Sequence, residues 1–123
     1  MNGWYLAAAG FSLLTALTHI FVGGHYVVRP LLACEGLPRV SRFTNYYTWH
    51  VVTILLISMA VLFAYAGLYP TEIILPLSQT ALAGAFMVLS FVLLTAKGMR
   101  PLHMPQWLLF LPVTLCGLCG LLS

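Results

Sequence analysis

The segment Thr18-His19-Ile20-Phe21-Val22-Gly23-Gly24-His25-Tyr26-Val27-Val28-Arg29-Pro30 closes an apolar run that begins at Trp4, and its reading decides the fold. Between Trp4 and Val28 there is no Asp, Glu, Lys or Arg. A helix that crosses a bilayer needs about 20 mainly apolar residues, so this run reads as a membrane span. Two histidines interrupt it, with a glycine pair between them. Ionisable groups inside a span are costly, and so they mark candidate functional positions.

Working outward, three further runs have the same character. The four predicted spans are Trp4–Val28, Tyr46–Tyr69, Glu72–Ala96 and Met104–Leu122. Backbone groups in lipid must be satisfied within the segment, which makes these helices. The alternating strands of about 10 residues that mark a membrane barrel are absent. The whole chain agrees: 62% of residues are hydrophobic and 6% charged, against about 25% charged in a soluble domain. Mean hydropathy is +1.02. The expected fold is an all-α, polytopic membrane protein, a single antiparallel bundle of four transmembrane helices over residues 1–123. No basic residue precedes the first apolar run, so that run lacks the n-region of a cleaved signal peptide and is expected to remain.

The five basic residues fall in two segments, Arg29, Arg39 and Arg42 in one and Lys97 and Arg100 in the other. The positive-inside rule makes segments 29–45 and 97–103 cytoplasmic and sends both termini outward, the expectation being a bacterial inner membrane. Such charges favour anionic lipid headgroups over nucleic acid. Short connections make consecutive helices antiparallel neighbours, and the small size suggests a homo-oligomer or a subunit of a membrane complex.

Helical spacing then proposes inward faces. In the first helix Ser12, Thr15, His19 and Tyr26 align. In the second the stripe is Tyr46, His50, Thr53, Ile57, Ala60, Ala64 and Gly67, and in the third Gln79, Ala83, Phe86 and Ser90. Pro76 is expected to kink the start of the third helix. Small residues in the outer half of the second helix and in Cys116-Gly117-Leu118-Cys119-Gly120 favour close helix packing.

The histidines gather toward the basic end. His19 lies ten residues before Arg29 and His50 eight residues after Arg42, which is about 15 Å and 12 Å of helix and puts them at similar depth. His103 is at the interface. His25 follows His19 by six residues and shares its face only if the glycines distort the helix.

Three readings follow. In the first, His19 and His50 are axial ligands of haem b, with Tyr26, Tyr46 and Trp49 walling the macrocycle and Arg29 and Arg42 neutralising its propionates. In the second, His19, His50, His25 and His103 hold a transition-metal ion, with Glu35 or water completing the shell. Only two acids, Glu35 and Glu72, are present, which argues against a di-iron carboxylate centre. In the third, a neutral imidazole hydrogen-bonds Thr15, Thr53, Tyr46 or a backbone carbonyl across a helix pair.

Cys116 and Cys119 have Cys-x-x-Cys spacing, but no βαβ context surrounds them and the flanking glycines point to packing. Cys34 belongs to the opposite side. Arg39-Val40-Ser41-Arg42-Phe43-Thr44-Asn45 resembles the arginine-and-asparagine stretch entering the second helix in the MAPEG family of membrane glutathione enzymes. The spacing to Asn45 is one residue shorter, and the family's glutamate after the asparagine is missing. That resemblance, confined to one loop and the helix count, implies that Arg39, Arg42 and Asn45 hold a peptide thiol within a trimer.

The residues themselves lead first to a haem- or metal-binding module suited to electron transfer. The alternatives are a membrane enzyme that uses His19 or His50 as base on a lipophilic or anionic lipid-like substrate, and a non-catalytic accessory subunit.

Overall fold

The computed structural model describes residues 1–123 and is all-helical. Helix α1 (Gly3–Thr18) runs into a π-helical segment (His19–Val28) and then α2 (Arg29–Ala33), so Gly3–Ala33 is one continuous helical rod. Helices α3 (Arg39–Leu68), α4 (Ile74–Ala96) and α5 (Gln106–Leu122) follow. Gly3–Ala33, α3 and α4 are each long and apolar enough to cross a membrane, whereas α5 has 17 residues.

The helices run antiparallel. Asn2 ties one end together: its Oδ1 caps α1 by accepting from Trp4 N at 3.0 Å, and its Nδ2 donates to Gly120 O at 3.2 Å. Its own N–H donates to Gly67 O at 2.8 Å. Both termini and the 69–73 turn therefore share this terminal end, and all five Lys and Arg side chains lie toward the other, basic end.

Two helix boundaries differ from the sequence reading. Arg29–Ala33 is helical despite Pro30, because the proline falls in the first turn after the π segment, where the hydrogen-bond ladder changes step and a missing N–H costs least. At the other side of the loop, α3 starts at Arg39 rather than Tyr46. Its first two turns are polar, and hydropathy marks only the apolar part of a helix. Pro76 is the third residue of α4, a position with no intrahelical N–H bond to lose, so it is accommodated in the first turn.

The core concentrates toward the terminal end. Ala8 and Ala16 of α1 cluster with Leu56, Met59 and Phe63 of α3, with Ala83 of α4 and Val113 of α5 closing the centre. Three glycines set how closely the helices approach. A Cβ on Gly67 would lie 2.7 Å from the Leu6 side chain; one on Gly117 would collide with Thr80, and one on Gly120 with Tyr5. Long apolar side chains such as Leu14 and Ile54 point outward, as lipid-facing residues do.

The α3 face is rotated from the expected stripe. Ala60 and Gly67 of that stripe are buried, but they are joined by Leu56, Met59, Phe63 and Ala66, while His50 and Ile57 are exposed. In a helix that is apolar all round, the few polar residues are a poor guide to the inward side; here packing of the large Leu56, Met59 and Phe63 side chains decides it.

Candidate functional site

The glycine pair Gly23-Gly24 lies inside the ten-residue π segment, where Arg29 N–H bonds to Gly24 O, five residues back. This is the distortion that the sequence left open, and it shapes a wall. Thr18 and Val27 both line one cavity. Nine residues apart, they would face opposite ways at the α-helical turn of about 100° per residue. At about 82° per residue, the wider π turn brings them back to one side. Gly23 adds room for Trp49, whose Nε1 is 3.7 Å from where a Cβ at that position would sit.

The cavity has a volume of about 500 Å³ and lies between the π segment, α3 and the start of α5. Val22, Leu56, Leu109 and Phe110 give it an apolar wall. His19, Tyr26, His103 and Gln106 bring polar groups to it.

His19 is half-buried and held from one side. Its Nε2 is 3.1 Å from Trp49 O and 3.0 Å from Thr53 Oγ1, and the Thr53 hydroxyl donates to the same Trp49 carbonyl at 3.1 Å. A carbonyl only accepts, so Nε2 carries the proton and donates. In the neutral imidazole Nδ1 is then the unprotonated nitrogen, and the ring's hydrogen bonds within the protein run through Nε2 alone. The imidazole is also stacked on the Trp49 indole, with centroids 4.3 Å apart and planes 20° from parallel. At Nε2, the interhelical hydrogen bond to Thr53 and a backbone carbonyl is what the geometry shows.

The other candidate residues separate into two groups. Tyr26, Trp49 and His103 line the cavity with His19. His50 does not: it is exposed on the outer side of α3, its ring set edgewise to Tyr46 at 4.5 Å and to Trp49 at 5.3 Å. His25 is exposed too, and its Nδ1 accepts from Arg29 Nη1 at 3.1 Å. Even the π turn leaves a six-residue step well off the His19 face. Arg42 Nη1 donates to Leu32 O and Cys34 O, each at 3.4 Å, fastening the end of α2 to α3. Asn45 donates to Ser41 O at 2.8 Å, so Arg42 and Asn45 act locally rather than around a shared thiol site. Gln106 was missed from sequence. Its signal was its place directly after Pro105, where α5 begins at the depth of the histidines.

No three His, Cys, Asp or Glu side chains converge as a metal centre. His19 and His50 do not line one cavity. His19 Nε2 is already shared, and the Trp49 indole lies against both imidazoles. No protein-family model, curated protein or solved structure matches the chain.

Proposed function

We propose that this chain is a small integral membrane protein that binds a lipophilic, hydroxyl-bearing molecule between its helices. The observation that carries the reading is His19: pinned through Nε2 on Trp49 O, it stands in the wall of an apolar cavity with Nδ1 unpaired. A mainly apolar space with a few convergent polar groups is the usual form of a small-molecule site. An unprotonated Nδ1 accepts, so its natural partner is a donor, and a hydroxyl is the donor compatible with an apolar ligand. Tyr26, His103 and Gln106 stand toward the basic end, where a polar head would meet headgroups and water.

The same proposal takes α5 as a fourth span. Its 17 residues cover about 25 Å, short of the roughly 30 Å hydrocarbon layer by an amount that local thinning accommodates. The basic end is cytoplasmic by the positive-inside rule, and both termini face outward.

The test is photolabelling of purified protein in nanodiscs with a six-carbon alkanol carrying a diazirine next to its hydroxyl-bearing carbon. Adducts are expected on cavity residues such as Val22, Trp49 and Leu109, displaced by excess unlabelled hexanol. His19→Leu should reduce them about fivefold, the worth of a hydrogen bond of about 1 kcal/mol. Adducts spread over lipid-facing residues such as Leu14 and Ile54, without displacement, would sink the proposal.

A further inference from the structure

A second chamber of about 240 Å³ lies between α3, α4 and the start of α5. It is not independent of the first. Val52, Gln106 and Phe110 line both, so these three side chains form a partition with one chamber on each side. The chambers differ in chemistry. The first presents His19, Tyr26 and His103, whereas the second has Phe86 and the small, buried Ser90 at its inner wall and the exposed Leu89 and Leu93 at its outer rim. The second chamber opens beside the loosest seam, since α3 and α4 make the weakest contact among the four adjacent pairs of long helices. The dense core around Met59, Phe63 and Val113 lies toward the terminal end.

We infer that the second chamber receives the apolar arm of the same molecule whose hydroxyl sits at His19. The inference rests on the cavity reading above and specifies its ligand: an elongated lipophile, polar at one end, that bends past Phe110. The lining of the second chamber is mainly apolar, which suits an alkyl arm. Shared walls favour an arm of one ligand over a separate molecule, because a side chain that shifts to admit an occupant on one side reshapes the other. Phe110 is the side chain to do so, packed at a tilt against Phe86 with centroids 5.3 Å apart and planes at 55°.

The experiment compares two probes in nanodiscs. One is the six-carbon alkanol used above. The other is a fourteen-carbon alkanol with its diazirine at the end far from the hydroxyl. Tail adducts on the inner-wall residues Phe86, Ser90 or Met104 are expected in the unaltered protein. Ser90→Leu and, as a milder filling at the rim, Leu93→Phe should each lower those adducts at least fivefold while six-carbon labelling near His19 stays within twofold. Tail adducts that are unchanged by both fillings, or that scatter over lipid-facing Val88 and Val92, would overturn the two-chamber ligand and leave the His19 site standing. Failure of the six-carbon probe to label the unaltered protein would instead remove the cavity reading itself, and this inference with it.

Discussion

His19 lies on the face of Trp49, centroids 4.3 Å apart, and donates through Nε2 to the carbonyl of that same residue at 3.1 Å. One residue of α3 thus fixes both the plane and the proton of an imidazole on the first helical rod. Thr53 completes the arrangement by donating to the Trp49 carbonyl and meeting Nε2 at 3.0 Å. A base so oriented has one free nitrogen, and its direction is set by the backbone rather than by a flexible neighbour.

Replacing Thr53 by Val keeps the shape and removes the hydroxyl from this group. Denaturation in detergent should show a loss of about 0.6 kcal/mol, typical of interhelical polar contacts in membranes. Six-carbon alkanol labelling should fall about twofold, and Thr53→Ser should restore it. Unchanged labelling in Thr53→Val would mean that Trp49 alone holds the ring.

The glycines make a paired prediction. Gly67→Ala, Gly117→Ala and Gly120→Ala each introduce a methyl where a neighbouring helix already stands. Each should destabilise the fold by about 1–3 kcal/mol, the usual cost of overpacking. A methyl added at Gly10 in α1 would meet nothing within 4 Å, so Gly10→Ala should be neutral or stabilising by up to about 1 kcal/mol through helix propensity. Thermal denaturation of the four variants in one detergent gives the order; equal effects would contradict the helix contacts described.

The fourth span is tested by accessibility. Cys34 is exposed at the basic end. In a chain with Cys116 and Cys119 replaced by Ala, a membrane-impermeant maleimide should reach Cys34 from the cytoplasmic side only. With Cys34 also replaced, Lys97→Cys should label from that side and Ser123→Cys only from the outside. Labelling of Ser123→Cys and Lys97→Cys from one side would show that α5 does not cross.

Much of this architecture was legible because a bilayer imposes simple rules. Run length located the apolar bodies of the first two rods, though α3 begins at Arg39, and the placement of Arg29, Arg39, Arg42, Lys97 and Arg100 separated the two ends. What was not legible was rotation. His50 and Thr53 are both polar, yet Thr53 faces His19 and His50 faces away, because the fit of Leu56, Met59 and Phe63 sets the angle of α3. The site was half legible for the same reason. His19, Tyr26, Trp49 and His103 share one cavity, but whether Gly23-Gly24 loosens the helix depends on backbone hydrogen bonds that residue types do not specify.

That loosening leads to the last prediction. Gly23 lines the cavity and faces Trp49 at an ordinary contact distance, 3.7 Å from a Cβ to Nε1. Gly23→Ala therefore adds a methyl without a clash and should leave six-carbon labelling within twofold. Gly23→Leu carries three further carbons into the space beside His19. It should remove the labelling while changing stability by less than about 1.5 kcal/mol, since the added groups enter a cavity rather than a packed core. The contrast between the two variants separates a filled site from a damaged helix: a backbone effect would appear already in the alanine variant, whereas occupation of the cavity appears only in the leucine one.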